Sequence, residues 1–457
     1  MGNLTTSLVN AATALQVYGG ALDVTEENVS NADTPGFVTQ TPTLIAQSFD
    51  LQTGAPGGVL LGITQSTRDQ FAEQYVRTEQ TNYSFDQQKV SDLTSAQNYF
   101  SLSTSSGIAP ALSDLFQSFS QLSVTPNDAV ARQTVLNNAA TVAQDFRDTA
   151  NGLLSQANNL HQATSTTINT INQLATTIAG INSANRVDPA GGVDAGVDAQ
   201  LNAALTQLSQ YVNFSLLQLP DGEVSVYVGG QTPLVVGSQT YAVQGDFSAP
   251  QTAILSSSGT DITGQITGGQ LGAELDDNNK ILPSYIISLD TLAQNLANQV
   301  NSTLGNGIDQ NGAAPVTNLF SYNPNSAAQT LTVNPLTPDQ IAAATPGAPG
   351  GNGNAVTLAA LANAPVINGY TFAQAYGNLG AQVGSDLSAA QNSSATNQSL
   401  LSQAESLRQQ VSGVSLNTQA EDLLQYERSY DAISKMLGVL NSLSLDVINL
   451  LPPISAS

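Results

Sequence analysis

The sequence predicts an α+β protein: an elongated, mainly helical rod whose amino- and carboxyl-terminal helices pair like a coiled coil, with small inserted β domains. Three observations lead to this prediction. Apolar residues recur at helical spacing near both ends of the chain, and a long helical pattern fills much of the middle. Between about residues 211 and 265 the pattern changes to the alternation typical of strands. Because helices precede and follow this stretch, we expect both termini to lie at the same end of the rod.

Four regions follow from these patterns. They are a terminal coiled-coil domain (1–36 plus 414–457), a helical rod domain (37–187 plus 270–304 plus 360–413), an inserted β domain (188–269), and a Gly-, Pro- and Asn-rich insertion of loops or small β elements (305–359). A chain of 457 residues is long enough to build several hydrophobic cores.

The amino-terminal segment carries an apolar seam with heptad spacing. Its members are Leu4, Leu8, Ala11, Leu15, Tyr18, Leu22 and Val29, with Thr25 as the polar break. Such a seam is stable only when it is buried against another helix. Gly19 and Gly20 lie in its middle, and each costs about 1 kcal/mol relative to Ala. We therefore expect this helix to be poorly ordered when it is alone.

The carboxyl-terminal segment repeats the pattern. Its seam consists of Leu423, Tyr426, Tyr430, Ile433, Leu437, Leu440, Val447 and Leu451, with Ser444 as the polar break. Pro452 is expected to end the helix. The two seams can form a helical hairpin within one molecule, or they can pair mainly inside an assembly. The sequence leaves both alternatives open.

The residues after the first helix predict a turn and then more helices. Pro35 and Gly36 suit the two central positions of a type II turn, which should lead into an extended stretch over 37–44. Helical spacing then predicts helices over 64–103 and 111–124. The next helix begins near residue 126 and keeps its apolar spacing as far as Ile181, which is longer than ordinary globular helices.

The β-like stretch contains one strong hairpin signal. Asp221-Gly222 precedes the alternating segment 224–228, as in a tight two-strand connection. Helical spacing returns at 283–304 and again at 371–410, and the second of these leads into the terminal seam.

Charge and composition exclude several classes of function. The chain has 34 acidic and 10 basic residues, so its net charge of −24 disfavours binding to nucleic acid or to anionic membranes. It has no cysteine and one histidine, which excludes disulfides, thiol nucleophiles and sites that need two histidines. No apolar run approaches the roughly 18 residues of a membrane-spanning helix. The first basic residue is Arg68, so no secretory signal peptide is expected.

No constellation of residues predicts catalysis, a cofactor or a metal ion. His161 lies within a helix among amides and hydroxyls, and we interpret it as a solvated position. Asp309 opens a segment like a calcium loop, but Phe320 stands where the loop needs a glutamate, so a turn is expected. Asp276 and Asp277 are interpreted as a solvated turn. We therefore predict that the protein is not an enzyme and has no catalytic, cofactor-binding or metal-binding residues.

Residues 28–37 resemble the amino-terminal signature of bacterial flagellar rod, hook and hook-associated proteins. The residues that carry this motif are Asn28, Asn31, Thr34, Pro35, Gly36 and Phe37. Phe37 replaces the usual tyrosine of the signature, and Asp33 replaces an asparagine.

Further segments narrow the resemblance to the family of flagellar hook-associated protein 1, the proteins of the hook–filament junction. These segments are 115–128 together with Arg132, 282–285 with 289–301, 307–312, and 412–416 before 420–424. The resemblance covers about two thirds of the chain, in the right order. The inserted regions do not share it.

The resemblance implies a structural axial protein of the flagellum that polymerises at the distal end of the hook. It implies an inner tube of terminal helices that fold as subunits assemble into a helical ring or tube. It also implies contacts with the hook protein, with a second junction protein and with a cytosolic export chaperone that binds the carboxyl-terminal segment. Export through the flagellar type III apparatus would place the protein outside the cell without cleavage of a signal peptide, and neither nucleic-acid binding nor membrane insertion is expected.

Three alternatives remain open at the level of sequence. The chain could be another axial protein, such as the hook protein or the second junction protein. It could be a secreted adhesin or enzyme that uses the β insertions, or a general coiled-coil scaffold.

Overall fold

The computed structural model of this protein describes residues 2–34, 36–48, 57–100, 106–185, 195–219 and 223–449. The chain divides into two compact units. The first unit comprises 1–82, 170–243 and 397–457, and the second comprises 83–169 and 244–396.

The described part of the chain is mainly helical, as predicted. Its helices are α1 (Gly2–Ser30), α2 (Gln70–Gln97), α3 (Ile108–Val124), α4 (Ala129–Asn185), α5 (Ala195–Tyr211), α6 (Gly269–Asp276), α7 (Leu282–Gly305), α8 (Ala327–Thr330), α9 (Gly353–Ala360), α10 (Phe372–Ser412) and α11 (Leu416–Asn449). Short 3₁₀ turns occur at 263–265, 338–340 and 361–363, and a π-helical turn at 277–281 joins α6 to α7.

The strands are short and antiparallel. They are β1 (Gln40–Ala46), β2 (Val59–Ser66), β3 (Phe214–Gln218), β4 (Val224–Val228), β5 (Thr232–Val236), β6 (Gln239–Thr240), β7 (Gln244–Asp246), β8 (Ala253–Leu255), β9 (Phe320–Ser321) and β10 (Thr332–Val333). β1 pairs with β2, β7 with β8, and β9 with β10, while β3, β4, β5 and β6 form one four-stranded sheet in that order.

In the first unit, α1 contacts both α11 and the β1–β2 hairpin. The four-stranded sheet buries Val226 and Leu234 completely. Asn182 in the last turns of α4 fixes this sheet, because its amide nitrogen donates to the carbonyls of Val224 at 2.8 Å and Gly237 at 2.7 Å. The Asp221-Gly222 turn lies outside the described residues, but the strands on either side of it pair in register from Gln218↔Val224 onward.

In the second unit, helices α3, α7, α9 and α10 and part of α4 surround one apolar core. Its largest fully buried aromatic side chains are Phe119, Phe146, Tyr285, Phe320, Phe372 and Tyr376. The Gly- and Pro-rich segment 305–359 contributes to this core through Phe320, Leu331 and other apolar residues. It therefore packs as an integral part of the unit.

Some predicted elements were wrong in detail. A helix was predicted from residue 64, but residues 59–66 form β2, since pairing with β1 overrides local helical spacing. That helix begins at Gln70 and ends at Gln97. α5 was not predicted, because the helical spacing of 195–211 lies next to a Gly-rich stretch and a β-like one. The helices predicted at 111–124, from 126 to 181, at 283–304 and at 371–410 are confirmed as α3, α4, α7 and α10.

Candidate assembly site at the terminal helices

The predicted assembly seams lie on two helices that pack side by side in the first unit. The ring centroids of Tyr18 on α1 and Tyr426 on α11 are 6.3 Å apart. Burial raises the pKa of the Tyr426 hydroxyl, and the neighbouring Asp422 and Tyr18 act in the same direction. The two seams therefore meet within one molecule, which is the first of the two alternatives left open by the sequence.

This pairing covers the amino-terminal seam only in part. Ala11 is 1% exposed, whereas Val29 at the end of the helix is 43% exposed. The other members are half-buried: Leu4, Leu8, Leu15, Tyr18 and Leu22. Thr25, which interrupts the seam, is buried, and its hydroxyl donates to the carbonyl of Ala21 at 3.0 Å. The hydroxyl of this polar residue therefore has a hydrogen-bond partner within α1, and its burial costs little free energy.

The carboxyl-terminal seam is covered even less. Its half-buried members are Leu423, Tyr426, Ile433, Leu437 and Leu440. Tyr430 is 40% exposed and Val447 is 37% exposed, while Leu451 lies outside the described residues. Within the described range of α11, Gln419 is the one fully buried residue. A helix whose apolar side chains are at most half-buried leaves part of its hydrophobic stabilisation unrealised.

An open groove of about 520 Å³ lies between the two helices. We call it the α1–α11 groove, and it is lined by Leu8, Val9, Ala12, Ser434, Leu437, Gly438 and Asn441. None of these residues is charged, and nothing lies within 4 Å of a Cβ built on Gly438. The groove could therefore accept an apolar side chain from outside the molecule.

Asn28, the first residue of the family motif, joins three elements at the base of this pair. Its amide nitrogen donates to the carbonyl of Gln40 and to Oε1 of Gln419, both at 2.8 Å. Its amide oxygen accepts from the backbone N–H of Gln40 at 2.9 Å. Asn28 is 1% exposed. One asparagine side chain thus fixes α1, β1 and α11 to one another.

The rest of the motif forms the turn that was predicted after α1. Pro35 lies outside the described residues, but Gly36 has φ +81°, as the third position of a type II turn requires. The backbone N–H of Phe37 closes the turn by donating to the carbonyl of Thr34 at 3.1 Å. The Thr34 hydroxyl donates to the side-chain oxygen of Asn31 at 3.2 Å.

The segment 412–416, which also carried the resemblance, lies against this turn. The backbone N–H and the hydroxyl of Thr39 donate to the carbonyls of Ser412 and Gly413, each at 2.9 Å. The Ser412 hydroxyl accepts from the backbone N–H of Asp69 at 2.9 Å. A Cβ on Gly413 would lie 2.3 Å from the carbonyl oxygen of Gln409, so only glycine fits there. Two motifs that are far apart in sequence therefore form one junction.

Gly20 was expected to destabilise α1, but packing against the hairpin explains why a glycine occupies this position. A Cβ at this position would lie 2.7 Å from Cδ2 of Leu61 on β2, so the glycine admits the hairpin against α1. Gly19 has no atom within 4 Å of such a Cβ.

A buried ionic cluster, which the sequence analysis did not find, lies beside the junction. Arg68 pairs with Glu73 and, at 2.8 Å, with Asp198, and Arg408 lies 3.6 Å from Glu73. Burial is the main influence on the neighbouring Arg77 and lowers its pKa, although Glu73 opposes this effect. One feature of the sequence could have pointed to this cluster, namely the small number of basic residues. The chain has only 10 of them, and three lie around one glutamate.

In the second unit, the motif at 115–132 explains how the 305–359 segment is held. Arg132 is 1% exposed. Its guanidinium donates to the carbonyls of Pro126 at 2.7 Å, Pro338 at 3.0 Å and Ile341 at 2.7 Å. Burial lowers its pKa from the ordinary value. Arg132 is therefore a structural cation that joins the start of α4 to the inserted segment.

Two interpretations of individual residues were wrong. His161 is half-buried rather than solvated, with its ring centroid 5.5 Å from that of Phe247. Asp277 is 1% exposed and does not belong to a solvated turn, because the π-helical turn directs it inward. Its neighbour Asp276 is half-exposed and pairs with Lys89 at 2.6 Å and Lys280 at 2.9 Å.

The turn predicted at Asp309 is present. Its carboxylate accepts from the backbone N–H groups of Asn311 and Ala313, both at 2.8 Å. Among the residues that the structure describes, no group of three or more acidic or histidine side chains could hold a metal ion. No helix in the described ranges is long and apolar enough to cross a membrane.

Comparison with known proteins gives one consistent result. Residues 93–320 match the model of the flagellar hook-associated protein FlgK helical domain. The flagellar hook-associated protein 1 of Bacillus subtilis is 24% identical over 97% of both chains. That of Escherichia coli is 29% identical over 67% of this chain and 58% of its own length. The solved structure of the flagellar hook junction protein FlgK from Burkholderia pseudomallei has the same fold, with a TM-score of 0.66, 17% identity, and coverage of 74% of this chain and 99% of that one. The chain belongs to the family of flagellar hook-associated protein 1.

Proposed function

We propose that this protein is a structural axial component of the bacterial flagellum that forms the hook–filament junction. It would polymerise at the distal end of the hook through its terminal helices. The observation that carries the proposal is the incompletely covered α1–α11 pair. Across the described part of α11 no apolar side chain is fully buried, although its seam is apolar except at Ser444.

The energetics favour completion of this pair by other subunits. Full burial of a large apolar side chain contributes roughly 1.5 to 3 kcal/mol. The half-buried seam residues retain part of that free energy for association. Fixing the backbone of each residue costs roughly 1 to 2 kcal/mol of conformational entropy. Because this helix pair buries so little apolar surface, it becomes more ordered when subunits assemble and bury the rest. Folding of the tails is thereby coupled to polymerisation.

The partners follow from this role. We infer a helical ring or tube of copies of this chain, with the flagellar hook protein on one side and a second junction protein on the other. The names of the relatives, "hook-associated" and "hook junction", support the hook as a partner. The exposed apolar carboxyl-terminal helix is a suitable segment for a cytosolic export chaperone to cover. We further propose export without a cleaved signal peptide and a final location outside the cell, in the flagellum.

Another axial protein is less well supported. A hook protein is expected to contain mostly β structure between its terminal helices. Here the segment between them includes the long helix α4 and the matched helical domain. None of the described clusters favours an enzyme.

The test is a charge in the carboxyl-terminal seam. Leu437→Asp should leave the second unit folded but prevent polymerisation and leave a null strain with hooks that lack filaments. Ile287→Asp is the matched control, because Ile287 lies on α7 in the second unit and is 64% exposed. It should support normal filaments. Normal filament attachment by Leu437→Asp, or by a chain lacking residues 416–457, would refute the proposed function.

A further inference from the structure

The β1–β2 hairpin has an apolar outer face that is only about half covered in this molecule. Leu61 lies toward α1, where it approaches Gly20. Ile45 and Leu60 are register partners, so they share the opposite face of the hairpin. They are 50% and 41% exposed. The Ile45 side chain lies across Gly62, where a Cβ would be 3.0 Å from its Cδ1.

The hairpin lacks the charged side chains that often keep exposed strands apart. Edge strands in natural proteins are commonly protected by charged side chains. Neither β1 nor β2 contains a charged residue. The chain as a whole carries a net charge of −24, so two copies repel each other over most of their surfaces. The uncharged hairpin is a surface at which one copy can approach another without that repulsion.

The α1–α11 groove is another uncharged apolar surface of the first unit. The hairpin runs past Asn10, whose amide donates to the carbonyl of Gly57 at 3.5 Å. Ala12, which lines the groove, is two residues further along the helix. Gly20, where the hairpin also contacts α1, is eleven residues (about three turns) from the groove residue Val9, so the hairpin and the groove adjoin each other around the helix. Ile45 and Leu60 lie on the hairpin face that is turned away from α1, so they cannot fill the groove of the same molecule.

We propose that the outer face of the hairpin, centred on Ile45 and Leu60, docks into the α1–α11 groove of a second copy of this chain. The inference rests on the proposed function and names a contact within the polymer. The two surfaces differ from each other, so the contact is head-to-tail. Repetition of a head-to-tail contact builds rings or helical tubes rather than closed dimers.

Cysteine cross-linking tests this contact directly, because the chain has no native cysteine. Ile45→Cys and Ala12→Cys are introduced into separate chains, which are mixed, polymerised and oxidised. A disulfide between the two chains is expected. Ala432→Cys on α11 is the control partner, since residue 432 is exposed and lies two positions from the groove residue Ser434. Cross-links to residue 432, or only between two Ile45→Cys chains, would overturn the proposal.

A paired substitution gives an independent measurement. Ile45→Lys with Leu60→Lys should raise the critical concentration for polymerisation roughly tenfold or more, with unchanged helicity in the monomer. Ile287→Lys is the matched control for adding a lysine at an exposed apolar site, and it should have no effect. If the paired variant polymerises normally while Leu437→Asp does not, the docking proposal fails and the proposed function stands. If Leu437→Asp also polymerises normally, the proposed function fails.

Discussion

The two units differ in how completely each one covers its own apolar side chains. The second unit encloses its core, and even a charged side chain, Arg132, has its hydrogen-bond acceptors supplied from within the unit. The first unit fixes the base of its terminal helices through Asn28 but leaves the seams above it half-covered. This contrast fits our proposal that neighbouring copies complete the terminal helices, whereas the second unit covers its core within one molecule.

The largest expected effect lies in the second unit. Arg132→Ala removes three hydrogen bonds from a buried cation to backbone carbonyls, although those of Pro338 and Ile341 keep a backbone N–H donor, so it should lower the free energy of unfolding by about 3 to 5 kcal/mol. Chemical denaturation measures this change. Hydrogen exchange should show that the loss is confined to the second unit. A loss of less than about 1 kcal/mol would mean that the 305–359 segment is held mainly by its apolar contacts.

The second prediction concerns the pH dependence of stability, which we expect to arise in the second unit. Burial raises the pKa of Asp277 to about 8, with the carboxylate of Asp92 as the next influence. Burial likewise raises the pKa of Asp92 to about 6 and that of Glu274 to about 7. Lys89 opposes the rise at Asp277, whereas Asp276 adds to it. All three acids lie in the second unit.

The direction in which stability changes with pH follows from the number of protons bound by the folded and unfolded states. The folded state holds protons that the unfolded state has already lost above about pH 4. Stability of the second unit should therefore fall as pH rises from about 5 to 8, by up to about 1.4 kcal/mol per pH unit for each carboxyl that stays protonated. Thermal unfolding across this range measures the slope, and Asp277→Asn should reduce it. Stability that is flat or rises with pH would contradict the assignment.

The junction at the base of the terminal helices should respond to a smaller extent. Asn28→Ala removes three buried hydrogen bonds and leaves Gln419 and Gln40 with unmet groups, so we expect a loss of about 2 to 3 kcal/mol. Faster hydrogen exchange in α1 and α11 should accompany this loss. Asn31→Ala is the matched control, because its donor bond to the carbonyl of Glu27 is exposed. Equal effects of the two variants would remove Asn28 from its proposed structural role.

The smallest expected effect is a difference in stability between alanine substitutions at the two glycines of α1. Gly19→Ala should stabilise the helix by about 1 kcal/mol, because nothing lies near the added methyl group. Gly20→Ala should gain less, since Leu61 must shift to admit the methyl group. The difference in thermal midpoint between the two variants measures the packing of the hairpin on α1.

Much of the fold was accessible from sequence because apolar spacing is a local property. The seam residues from Leu4 to Leu22 and from Leu423 to Leu440 could be assigned to helices before any contact was known. Asp277 shows the limit of this reasoning. Its neighbours are polar, and the sequence gives no sign that a π-helical turn directs its carboxyl into the second unit. β2 shows the same limit, since its strand conformation depends on β1.

The sequence alone determined which residues carry the terminal seams and which functions the composition excludes, because spacing and residue counts need no partner. The tertiary structure decided how much of each seam is covered, which motif residues meet, and why Gly20 and Arg132 stand where they do. These properties depend on contacts between segments hundreds of residues apart, such as Asn28 with Gln419. Such contacts form only when the folded chain brings their hydrogen-bonding and apolar groups together.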